Sequence, residues 1–240
     1  VNSIGIFGDS FASPYIFLGK GQKILHTLSW PVLLSKKFNV SFMGGVPGTS
    51  VFYSYKQFLE NNANLDTIIF VITDSNRLYT NNHKLKISDL DTTRQKLKNI
   101  DVRDPDYFYY KAAELYHQWL SDAELNQFTC KKCLESIQNI CQKENKRLIL
   151  VPGFQNSDIN VENFKVALVD VFLKELKTQF NNVDYKQENY RTRACHLSEK
   201  NNAILAELMA KIINGENITI GIDNFLFEKV SNPEKYWELV

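Results

Sequence analysis

A single α/β domain built on a parallel sheet is what this sequence predicts, on three observations. Short apolar runs alternate along the chain with stretches of helical spacing. Two of the runs, Thr67–Ile72 (TIIFVI) and residues 147–151 (RLILV), are almost continuously apolar, as in strands covered on both faces. The chain has 240 residues, 44% of them hydrophobic, enough for one sizeable core with room for an insertion. Strands separated by helices imply right-handed crossovers, and we expect five parallel strands in the order 2-1-3-4-5.

The elements follow in order. Ser3–Phe7 reads as the first strand, running into a Gly-Asp-Ser turn. Residues 29–37 read as a helix, with Pro31 suited to its first turn. Asn39–Met43 is the second strand, residues 49–62 the second helix and Thr67–Ile72 the third strand. A long insertion covers about 77–145: residues 81–105 are polar and read as loop, while 106–120 and 123–143 have helical periodicity. The fourth strand is 147–151, followed by a helix over 161–180, a weak fifth strand near 183–186 and a helix over 198–214 that Ser198 would cap. Residues 218–240 receive no assignment.

Charge narrows the function. Lys and Arg number 28 against 27 Asp and Glu, a net charge of +1. Binding nucleic acid calls for clustered excess base, so none is expected as a partner. No apolar run reaches the 18 or so residues of a membrane span, so no membrane partner is expected either. The first residues show no basic segment followed by a long apolar one, and Cys130, Cys133, Cys141 and Cys195 are too few for a disulfide scaffold. The expected compartment is reducing and cytoplasmic.

In an open parallel sheet ligands bind beyond the carboxyl ends of the strands. Those ends carry Gly8-Asp9-Ser10, then Gly44-Gly45-Val46-Pro47-Gly48-Thr49-Ser50, then Thr73-Asp74-Ser75-Asn76-Arg77, and finally Arg193-Ala194-Cys195-His196-Leu197-Ser198. A hydroxyl, a glycine-rich backbone, an amide and an imidazole thus converge on one rim. Serine attacks a carbonyl when a base takes its proton, and histidine is the natural base near neutral pH. An unhindered glycine N–H and a side-chain amide suit the resulting oxyanion.

These stretches resemble the SGNH (GDSL-type) hydrolases. Ile4-Gly5-Ile6-Phe7-Gly8-Asp9-Ser10 is similar to the family's first block, Gly44 to Ser50 to its second, and His196-Leu197-Ser198-Glu199-Lys200-Asn201-Asn202 to its fifth. The blocks fall in family order and span roughly residues 3–214. The resemblance implies a flavodoxin-like three-layer α/β/α sandwich that hydrolyses acyl esters, often acetyl groups on carbohydrates or lipids, with no metal or organic cofactor. It makes Ser10 the nucleophile and an oxyanion donor through its own N–H, Gly45 a second N–H donor and His196 the base. Two positions depart from the pattern. The third block's Gly-x-Asn-Asp is replaced by Thr73-Asp74-Ser75-Asn76, leaving Ser75 or Asn76 for the amide's place, with Asn76 favoured for its reach. The aspartate three residues before the histidine is replaced by Arg193.

The blocks also look like variants encoded by bacteriophages, which implies an esterase carried on a virion and acting on an acylated glycan. The contrasting expectation is a degenerate domain, favoured by Arg193 and the altered third block, that binds carbohydrate or builds a virion without catalysis. Other features read as structural. Asp9 suits a turn or cap, and His26, His83 and His117 are scattered. Cys130-Lys131-Lys132-Cys133 has metal-site spacing but shares one helical face with Leu134, Ile137 and Cys141, which predicts core thiols. The aromatic run Tyr107-Phe108-Tyr109-Tyr110 with Tyr116 and Trp119 reads as a packed helix or as a stacking wall for sugar.

Overall fold

The computed structural model describes residues 2–18, 22–77, 79, 90–155, 159, 161–180 and 197–228. Among these, four strands form one parallel sheet: β1 (Ser3–Phe7), β4 (Asn39–Met43), β5 (Thr67–Ile72) and β6 (Arg147–Pro152), in the order β4-β1-β5-β6. This is the predicted arrangement 2-1-3-4. The fifth strand expected near 183–186 lies outside the described residues. β1 is central, pairing Ile4–Phe7 with Thr67–Phe70 on one side and β4 on the other. All six β5 residues are buried, as their unbroken apolar sequence requires.

Helices cover the sheet in two groups. α1 (Trp30–Ser35) packs on β4 and on α7 (Glu199–Ile213), while α2 (Val51–Asn61) packs on β1 and on α5 (Ala123–Lys143), which also meets β6. A right-handed crossover from β1 leftward to β4 and a second one rightward to β5 put α1 and α2 on opposite faces. The result is an α/β architecture of three layers. Phe7 lies edge-on to Phe58 of α2 at 5.7 Å, and Trp30, Ile137, Leu205 and Met209 are sealed from solvent around the sheet. Cys130, Cys133 and Cys141 are buried with Leu134 and Ile137 along α5, on the face their spacing predicted.

Several elements differ from expectation. A hairpin of β2 (Tyr15–Leu18) and β3 (Gln22–Leu25) pairs antiparallel outside the main sheet. Residues 81–105 are not all loop, because α3 (Leu90–Asn99) forms within them and packs on α4 (Pro105–Trp119). The helix expected over 161–180 is only α6 (Leu168–Phe180), since Phe164 instead makes a parallel bridge to Ile220. Ile220 and Phe225 are buried, so part of the unassigned tail seals the core. Among the described residues no helix is long and apolar enough to cross a membrane.

α3 and α4 enclose a small core of their own, Tyr110 and Ala113 packed by Leu97, Ile100 and Tyr109, separate from the main one. Local stability follows buried apolar contact. Amide hydrogen exchange should therefore open α3 and α4 well before β5 and α5; equal protection in both regions would contradict this division.

Candidate active site

The first strand is followed by Gly8, whose φ of +150° and close neighbours favour glycine: an added Cβ would sit 2.7 Å from Val71 Cβ. The chain then turns into a single 3₁₀ turn, Ser10–Ala12. Asp9 caps it, its Oδ1 accepting from Phe11 N–H at 3.0 Å. The turn fixes Ser10 at the carboxyl end of the central strand. Ser10 is buried, and its Oγ has no hydrogen-bond partner among the described residues.

Gly45 is brought directly onto this turn. A Cβ there would fall 2.2 Å from the carbonyl carbon and oxygen of Ala12 and 2.5 Å from Ser13 N, so only glycine allows the two backbones to meet. Gly44 N–H donates to Ile6 O and Val46 N–H to Gly8 O. The intervening Gly45 N–H makes no hydrogen bond among the described residues.

The loop after β5 divides the two candidates for the amide's place. Asp74 accepts from Asn76 N–H at 2.9 Å, which turns the chain back on itself. Ser75 is buried in that turn, whereas Asn76 is exposed, its Nδ2 donating to Asp74 Oδ1 and its Oδ1 accepting from Asn126. The turn aims Arg77 inward instead. Arg77 Nη1 pairs with Asp9 Oδ2 at 2.5 Å and reaches Thr49 O at 3.3 Å, and the guanidinium lies 4.5 Å over the Phe154 ring. Thr73 Oγ1 adds a hydrogen bond to Asp9 Oδ2 at 2.8 Å. Asp9 is fully buried and the Arg77 side chain only 8% exposed. A sequence reading gives Asp9 its capping role but not its partner; the one signal was an arginine within the loop at a strand's carboxyl end.

His196 lies outside the described residues, as do Arg193 and Cys195. Its neighbour in sequence, Leu197, is described and buried. Asn202 Nδ2 donates to Leu197 O at 2.9 Å, and Asn202 Oδ1 accepts from Trp30 N–H at 3.0 Å. Trp30 Nε1–H donates to Phe11 O at 2.6 Å. Three hydrogen bonds, all buried, thus tie the residue after His196 to the residue after Ser10. Ser198 caps α7 as expected, and the carboxylate of Glu175 on α6 accepts from Ser198 N–H and Oγ–H and from Asn201.

The remaining candidates lie apart from this cluster or play structural parts. Burial pushes the Cys130 thiol up to about 12 and Cys141 to about 11, so both stay protonated packing groups. Burial lowers the His26 pKa, only partly offset by Glu199. His83 lies outside the described residues. Tyr109 and Tyr110 pack toward α3, whereas Phe108 and Trp119 are about 70% exposed. Among the described residues no three His, Cys, Asp or Glu side chains gather as metal ligands. A cleft of about 530 Å³ lies beyond the carboxyl end of β6, lined by Pro152, Phe154, Gln155, Ile159 and Lys165. Phe154 forms its wall and also meets Phe11 edge-on at 5.5 Å.

Two substitutions test this geometry. Gly45→Ala should destabilise the protein by about 1–3 kcal/mol, because backbone atoms meet the new methyl. Gly221→Ala, with open space around it, should stay within about 0.5 kcal/mol in the same thermal unfolding comparison. Asn202→Leu should cost about 2–3 kcal/mol by leaving Trp30 N–H and Leu197 O unpaired in the interior. A neutral Asn202→Leu in urea unfolding would mean the hydrogen-bonded tie is not formed.

No protein-family model matches the chain, and no curated protein matches it.

Proposed function

We propose that the protein is a serine esterase of SGNH type that removes acyl groups, acetyl foremost, from a small ester or an acylated glycan. The observation that carries this reading is the buried hydrogen-bond tie from Phe11 through Trp30 and Asn202 to Leu197. It brings the turn that bears Ser10 to Leu197, the next residue after His196, although 186 positions separate Ser10 and His196 in sequence. The unpartnered Ser10 hydroxyl and the close approach of Gly45 support it further.

In this mechanism Ser10 Oγ forms a bond to the ester carbon while His196 takes the hydroxyl proton. The carbonyl π electrons move onto oxygen, where Ser10 N–H and Gly45 N–H donate to the new charge. Collapse of the adduct breaks the bond to the alcohol, which leaves with the proton from His196. Water, deprotonated by His196, then attacks the acyl-enzyme and releases the acid, returning the proton to Ser10. The cleft behind Phe154 suits the alcohol portion of the substrate. The phage-like form of the blocks supports placing such an enzyme on a virion.

Two observations favour a second reading, a domain of the same fold that binds carbohydrate or builds an assembly without catalysis. Ser10 is only 4% exposed, and Arg193 stands where the family carries its acid. A fluorophosphonate probe separates the two. The esterase should be labelled at Ser10 and should turn over p-nitrophenyl acetate, and Ser10→Ala should lose both, with turnover falling at least about 10⁴-fold. Turnover unchanged in Ser10→Ala, or no label on the parent protein, would reject the assignment.

A further inference from the structure

The site leaves one donor set unspent. A guanidinium carries five N–H donors on three nitrogens. Arg77 commits only Nη1, to Asp9 Oδ2 and Thr49 O; Nε and Nη2 meet no acceptor among the described residues. The side chain is nonetheless more than nine-tenths buried, with one face against the Phe154 ring. Neither nitrogen is among the atoms sealed from solvent, so an otherwise buried guanidinium keeps free donors that an oxygen-bearing ligand can reach.

Its position says which oxygen. Asp9, the residue before Ser10, grips Arg77 through Oδ2 and the Ser10 turn through Oδ1. The guanidinium is therefore fixed one residue from the hydroxyl, on the side of the rim supplied by the loop after β5. That loop is also where the family's amide would stand, and here Asn76 is exposed and engaged with Asp74 and Asn126.

Resting on the esterase reading, we propose that Arg77 is a catalytic residue. Its Nε–Nη2 edge donates to the ester carbonyl oxygen as that oxygen gains charge, in place of the missing amide. Asp9 holds the guanidinium by the opposite nitrogen, so the donors are preorganised and no group reorients during the reaction. The Asp9–Arg77 pair is neutral as a whole, which keeps the resting site free of a buried net charge.

The test uses Arg77→Lys and the paired variant Asp9→Asn with Arg77→Leu. Lysine can still pair with Asp9 but offers no second donor edge, and the paired variant removes both charges together, leaving no orphan carboxylate. With p-nitrophenyl acetate, each folded variant should lose at least about 100-fold in kcat with KM changed less than about threefold. Fluorophosphonate labelling at Ser10 should slow without being abolished. Parental kcat in either folded variant, or a loss confined to KM, would overturn the role and leave the pair as a structural tie. A parent protein that is labelled and active, with variants equally active, defeats this proposal alone; a parent neither labelled nor active defeats the esterase reading beneath it.

Discussion

The arrangement of the rim depends on one relay of buried hydrogen bonds. Phe11 O accepts from the Trp30 indole, Trp30 N–H donates to Asn202, and Asn202 returns a bond to Leu197 O. Each link joins a different part of the chain: the turn after β1, the start of α1 and the first turn of α7. Trp30 and Asn202 are sealed from water, so the two Trp30 N–H groups depend on these acceptors. The relay thus acts as a register mark. It makes the packing of α1 on α7 and the placement of the Ser10 turn a single event rather than two.

Electrostatics adds a second constraint at the same point. A buried ion pair is weak support for stability, since desolvating both partners offsets most of their attraction, but removing one partner alone typically costs about 3–5 kcal/mol. Asp9 and Arg77 therefore fix geometry more than they add stability. Thr73 and Thr49 complete the surroundings of the pair, and both are buried. The loop after β5 is in this way locked to the turn after β1. Such rigidity is what a site acting by preorganised donors requires.

Much of the sheet could be read from residues alone, because burial on both faces leaves an unmistakable apolar run: Thr67–Ile72 and the adjacent strands fall where the sequence placed them. The α5 thiols were equally legible from their shared face. The misses have physical causes. β2 and β3 carry no long run, and the signal that could have revealed them was a short apolar-aromatic stretch followed by Gly19-Lys20-Gly21. α3 is polar apart from Leu90 and Leu97, so its burial is slight and its helix signal weak. Residues 161–167 have helical spacing, yet Phe164 bridges Ile220, a tertiary pairing that no local pattern encodes. That Gly45 and the Ser10 turn lie at neighbouring strand ends was readable from the order of the elements. Arg77 was not, because its meaning comes from Asp9, 68 positions away.

The most direct measurement of the central claim is a crystal structure of the protein carrying a phosphonate on Ser10. Our account predicts His196 Nε2 within hydrogen-bond reach of the Ser10 oxygen, about 2.6–3.2 Å, with the phosphoryl oxygen facing Gly45 N–H. An imidazole turned to the opposite side of the sheet, with the adduct held by neither group, would contradict it.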